Sequence, residues 1–97
     1  MREAAIERRL AREVKAMGGM ALKFISPGLD GVPDRIVLLP GGRMAFVELK
    51  APGKKLSPLQ ARRREQLEGL GFRVFVVDEV VQIGAMLDEM GGVVDES

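Results

Sequence analysis

Asp34 ends the turn-like stretch Gly31-Val32-Pro33-Asp34, and fourteen residues later comes Glu48-Leu49-Lys50. Each acid borders or interrupts an apolar run, where an ionised carboxylate is costly unless a cation or hydrogen bonds compensate it. Two carboxylates and a lysine are the parts needed to hold a divalent metal beside a phosphodiester. A lysine so placed can orient an attacking water and stabilise the charge that builds on phosphorus. The bland alternatives are turn or strand-end residues facing solvent, since Asp after Pro is common in turns.

The composition narrows the chemistry. The 97 residues include no histidine, no cysteine and no tyrosine. Zinc sites built on imidazole or thiolate are thereby excluded, as are Ser-His and Cys-His nucleophile pairs and any tyrosine nucleophile. Catalysis must run on Asp, Glu, Lys and a metal with oxygen ligands, and Mg2+ or Mn2+ suits such a site. Nothing calls for an organic cofactor.

Charge is uneven along the chain. Formal net charge is +1, yet residues 78–97 hold six acids and no base, which leaves 15 basic and 8 acidic residues in 1–77. The densest basic stretch, Lys50, Lys54, Lys55, Arg62, Arg63 and Arg64, directly follows the second motif. A basic surface beside a carboxylate site suits a polyanion, although a charge run can also be a solvated helix face. With four phenylalanines as the chain's aromatic residues, the phosphate backbone is a better target than stacked bases.

The elements that position these residues follow from pattern. Ile6, Leu10, Val14 and Met17 recur at helical spacing within 2–17, and Gly18-Gly19 ends the helix. Glu3 falls in the middle of that apolar stripe, which is odd for a first-turn acid that the helix dipole alone would explain. Residues 20–25 are expected as a strand, followed by a turn-rich segment through Pro33 in which Gly28 and Gly31 serve backbone geometry. Residues 34–39 and 43–50 flank Pro40-Gly41-Gly42 and form a β-hairpin. A three-residue loop sets Leu39 opposite Arg43. The same register sets Asp34 opposite Glu48, with Cβ atoms roughly 5 Å apart, and alternation puts Lys50 on the face of Glu48. A one-residue slip would turn Asp34 away.

Ser57, Pro58 and Gln60 open a second helix that runs to about Leu70, with Gln60 at the capping-box position. Gln60 thus has a structural reason to be there as well as a possible functional one. Residues 72–77 form a buried strand and 79–90 a last helix with Val80, Ile83, Met86 or Leu87, and Met90 inward. Residues 91–97 are expected as a mobile tail. The expectation is one α/β domain over 1–97, in the order α-β-β-β-α-β-α, with a mixed central sheet flanked by helices. No run approaches the roughly 20 apolar residues of a membrane span, and the first residues lack the apolar stretch of a secretion signal. Together with the missing cysteines, this points to a cytoplasmic protein, with no membrane partner.

Gly31-Val32-Pro33-Asp34, Val47-Glu48-Leu49-Lys50 and Leu56-Ser57-Pro58-Leu59-Gln60 together resemble the VRR-NUC domain of the PD-(D/E)XK nuclease superfamily, over nearly the whole chain. The resemblance implies the restriction-endonuclease-like fold and Mg2+- or Mn2+-dependent hydrolysis of DNA phosphodiesters. It implies that Asp34, Glu48 and the main-chain carbonyl of Leu49 are metal ligands and that Lys50 is the catalytic lysine. Gln60 matches the motif glutamine that supports the site. Glu3 is similar to the helix-borne glutamate that some members add to the metal shell, with Glu7 competing for that role. Lys54, Lys55, Arg62, Arg63 and Arg64 are the expected DNA contacts. Short stand-alone members resemble phage or bacterial enzymes, working in a bacterial or phage-infected cytoplasm. Such members act as homodimers on branched DNA, four-way (Holliday) junctions included, in recombination and repair. The alternatives are a less selective nuclease on linear or flapped DNA and a non-catalytic nucleic-acid-binding module of the same fold. A helix-turn-helix regulator is disfavoured by the hairpin between residues 34 and 50.

Overall fold

A computed structural model describes residues 3–91 of the chain. Its elements follow the order α1 (Glu3–Ala16), β1 (Met20–Lys23), β2 (Arg35–Leu39), β3 (Arg43–Leu49), α2 (Pro58–Gly69), β4 (Val74–Val77) and α3 (Gln82–Glu89). The strands form one sheet in the order β1-β2-β3-β4. The first three are antiparallel neighbours, and β4 runs parallel to β3, because the β3–α2–β4 connection crosses over through a helix. This is the mixed sheet and the element order expected from the sequence. No helix among the described residues is long and apolar enough to cross a membrane. Residues 92–97, where most of the expected tail falls, lie outside the described residues.

One face of the sheet carries the main core. α1 buries Ile6, Leu10 and Val14, and α3 buries Ile83, Met86 and Leu87. They pack on Val37, Leu39, Ala45, Val47, Leu49 and Val77, alternate residues of β2, β3 and β4 that point the same way. Met90 is buried with them, and Val80 packs against the cluster half-buried. Gly19 marks where α1 hands the chain to β1. A Cβ there would lie 2.2 Å from the carbonyl oxygen of Leu38, so only glycine allows the close approach.

Several element ends differ from the sequence expectation for identifiable reasons. β1 closes at Lys23 rather than Ile25. The Phe24 N–H still donates to the Asp34 carbonyl at 2.9 Å, but the Ser26 carbonyl then accepts the Leu29 N–H at 3.2 Å, and the chain turns out of the ladder there. β4 begins two residues after Phe72, whose N–H instead donates to the Leu67 carbonyl at the end of α2. The last helix starts at Gln82 rather than 79, because the Gln82 side-chain oxygen accepts the N–H groups of Asp78 and Glu79 and holds them as a turn.

Candidate active site

The hairpin sets the site's frame. β2 and β3 pair from Leu39↔Arg43 to Arg35↔Val47, the register that the three-residue Pro40-Gly41-Gly42 loop predicts. The ladder stops one pair short of Asp34 and Glu48. Asp34 instead turns its carboxylate to the next rung, where Oδ1 accepts the Leu49 N–H at 3.1 Å. The expected pairing of Asp34 directly across from Glu48 is therefore replaced by a side-chain bond to the following residue, which still keeps the two acids close enough to repel.

Glu48 is 6% exposed, one of two buried charged residues among those described. Its Oε2 accepts from Gln60 Nε2 at 3.1 Å and lies 3.6 Å from Lys50 Nζ. Lys50, immediately after β3, thus shares the side of the sheet that alternation assigns to Glu48. Gln60 does two jobs at once. Its main-chain N–H donates to Ser57 Oγ and its Oε1 accepts the Ser57 N–H, completing the capping box of α2. Its amide nitrogen is left to reach Glu48. The cap uses the main-chain N–H and Oε1 and the contact with Glu48 uses Nε2, so the capping role leaves Gln60 free to make both.

Both acids are harder to ionise than usual. Burial raises Asp34 most, partly offset by the Leu49 N–H and the Arg35 guanidinium, while the charge of Glu3 raises it further. Burial also raises Glu48, and the charge of Asp34 adds to it against the opposing effect of Lys50. Two crowded carboxylates left with excess negative charge are what an oxygen-liganded cation would relieve. Mg2+ commonly uses one or two carboxylates and keeps several waters, so this donor set fits it. No three acids gather closely enough to form a metal cluster among the described residues. Glu3 is exposed at the start of α1 and acts on Asp34 only through its charge. Glu7 is engaged elsewhere, in an ion pair with Arg35.

Arg35 is the functional candidate that sequence reasoning missed. It is 8% exposed, donates to the Asp34 carbonyl at 2.8 Å, and lies 3.7 Å from Asp34 Oδ2. Its other nitrogen bonds Glu7 on α1. Arg35 thereby fixes the residue that carries the first carboxylate to the first helix. The available signal was parity. Arg35 alternates with Val37 and Leu39 on the helix-covered face, where an unpaired guanidinium would not be tolerated.

The expected DNA contacts separate into two groups. Lys54, Lys55 and Arg62 are exposed. Arg63 donates to the Asp30 carbonyl at 2.8 Å and to Gln66, and Arg64 pairs with Glu68 one turn on. Arg63 fastens the 26–33 loop to α2. Gly31 sits in that contact with φ 85°, and a Cβ would come 2.7 Å from Leu59 Cγ.

The motif residues fall within a match of residues 2–80 to the VRR-NUC domain. The chain belongs to the VRR-NUC family. It is similar to "Putative nuclease p44" of Acyrthosiphon pisum secondary endosymbiont phage 1, at 53% identity over 78 residues that cover 80% of this chain and 84% of that protein. Its fold matches a solved structure described as a VRR_NUC domain with a TM-score of 0.83 and 32% identity, covering 89% of this chain and 94% of the other. The mixed sheet and helix order of this VRR-NUC domain agree with that fold and are consistent with the wider PD-(D/E)XK superfamily. The match takes in Glu3, Asp34, Glu48, Lys50 and Gln60 together.

Proposed function

We propose that this VRR-NUC nuclease hydrolyses phosphodiester bonds of DNA with Mg2+ or Mn2+, acting as a homodimer on branched DNA such as four-way junctions in a bacterial or phage-infected cytoplasm. The observation that carries the chemistry is the convergence on Glu48, where Gln60 and Lys50 reach one carboxylate oxygen while Asp34 repels it. Asp34, Glu48 and the Leu49 carbonyl would hold the metal. When bound, a divalent cation supplies an acidified water and polarises the phosphoryl group.

The chain's own residues do the rest. Gln60 keeps the Glu48 oxygen oriented, and Arg35 and the Leu49 N–H keep Asp34 oriented. The Lys50 ammonium sits beside Glu48 where negative charge builds on the phosphoryl oxygens, and can direct the attacking water. The water loses a proton to solvent as its oxygen bonds to phosphorus, the bridging P–O bond breaks with its electron pair going to the leaving oxygen, and that oxygen takes a proton from solvent. Lys54, Lys55 and Arg62, exposed next to this cluster in sequence, contact the phosphate backbone.

The test compares cleavage of a synthetic four-way junction with linear duplex in Mg2+ or Mn2+, using wild type and Lys50→Ala. Paired nicks in opposing strands of the junction, with linear DNA left whole, are expected. Lys50→Ala should still bind the junction while cutting it about 10²–10⁴-fold more slowly, the usual weight of a positioned acid–base or charge-stabilising group. Equal cutting of both substrates removes the junction preference. No cutting by wild type leaves a nucleic-acid-binding module.

A further inference from the structure

The second face of the sheet is apolar and largely uncovered. Met20, Leu22, Ile36, Leu38, Met44 and Phe46 alternate with the core-facing residues and point to it, and none is buried. Phe46 sits between Phe24 and Phe72, tilted against the first ring and edge-on to the second, with ring centroids 5.7 and 5.8 Å away. Along β1, β2 and β3 the sole charge on this side is Glu48, at the active-site end. α2 covers only the β4 margin, where Val74 is buried, and none of its own residues is buried. Beside it, Leu29, Val32, Leu67 and Leu70 line an apolar groove of about 450 Å³.

We propose that this face is the surface on which two copies of the chain pair. The inference rests on the homodimer reading above and names its interface. Three observations favour a second copy. An interface core is depleted of charge, as this face is, and homodimer interfaces are more apolar than the rest of the surface, whereas non-obligate ones taken whole are not. The area is also sufficient. A standard interface takes roughly 800 Å² from each partner, about an eighth of the 6040 Å² accessible surface. Met20, Leu22, Leu29, Leu70 and Phe72 are between 39% and 74% exposed, and with roughly 200 Å² for a large side chain they alone offer on the order of 500 Å². The half-buried members of the same face add to this. Finally, an isologous pair uses the same patch on both copies, and one chain carries on this patch both an apolar edge strand, β1 with Met20 and Leu22 exposed, and an apolar groove. Because the face ends at Glu48, the pair would hold two sites on one assembly.

Sedimentation of the full chain at micromolar concentration tests this, with Leu22→Lys on the edge strand and Leu70→Lys at the groove. Both side chains are exposed, 39% and 74%, so the monomer fold should survive, as circular dichroism will report. Val81→Lys, at a 78% exposed valine beside α3, is the control. We expect wild type and Val81→Lys at twice the chain mass, and both face variants folded at a single chain mass with self-affinity lowered at least about 100-fold, as hot-spot losses near 3 kcal/mol give. Wild type dimeric with both face variants still dimeric overturns this surface and leaves the homodimer standing. Wild type at a single chain mass overturns the homodimer and this surface together.

Discussion

On one face of the sheet, α1 and α3 bring Ile6, Leu10, Val14 and Ile83 to within 1% of complete burial. On the other, α2 buries none of its residues, and β1, β2 and β3 keep apolar side chains half-exposed or exposed. The two faces come from the same four strands and differ by the parity of their residues. The closed face carries the packing that makes the fold, while the open one carries Glu48, Lys50 and the helix that supplies Gln60. A rigid wall on the closed face holds the β3 backbone that carries Glu48 and Lys50, so these side chains keep their places without support from a second deep core.

If that division is right, truncation should be felt very differently on the two sides. Leu10→Ala is expected to cost about 2–5 kcal/mol in urea unfolding, whereas Leu70→Ala, 74% exposed, should cost within about 0.5 kcal/mol of the single chain's stability. Similar losses for the two would erase the contrast. Arg35 sharpens it, because it belongs to the closed face but acts on the site. Arg35→Met should weaken Mg2+ binding by about 10–100-fold, the usual loss for a residue that orients a ligand, measured by calorimetry. Cleavage at saturating Mg2+ should recover far more than at limiting Mg2+. An unchanged affinity would make Arg35 purely structural.

The smallest effect concerns pH. Burial raises both Asp34 and Glu48 in the folded protein, with the charge of Glu3 adding to it at Asp34 and the charge of Asp34 adding to it at Glu48. The native state therefore holds more protons than the unfolded chain between about pH 4 and the raised values, and stability falls as pH rises through that window. Above that window the metal-free protein carries this penalty in full. Metal-free Glu48→Gln should then melt on the order of a few degrees above wild type at pH 7, with the gap closing toward pH 4. A melting temperature below wild type at pH 7 would show that Glu48 is stabilised as an anion.

Much of this contrast could be read from the chain. Pro40-Gly41-Gly42 fixes the hairpin register, and with it the parity that sends Val37 and Ala45 to one side and Phe46 and Glu48 to the other. Ser57 and Gln60 announce the start of α2, because capping is local. Long-range bonds were not legible. The Arg35–Glu7 pair spans 28 residues and the Arg63 bond to the Asp30 carbonyl spans 33, and no spacing rule links such positions. Nor does α2 show how little it buries. Leu59, Leu67 and Leu70 do not form a full apolar stripe, and that weak pattern is itself the trace of a helix packed on only one margin of the sheet.

Asp34 and Glu48 are the proposed ligands of the divalent cation. That role is tested most directly by titrating Mg2+ or Mn2+ into wild type and Asp34→Asn by calorimetry, with four-way-junction cleavage assayed in the same samples before and after EDTA. The expected result is metal binding by wild type that Asp34→Asn loses, and cleavage that EDTA abolishes and added metal restores. Cleavage that persists in EDTA, or an Asp34→Asn protein that binds metal and cuts as wild type does, would contradict it.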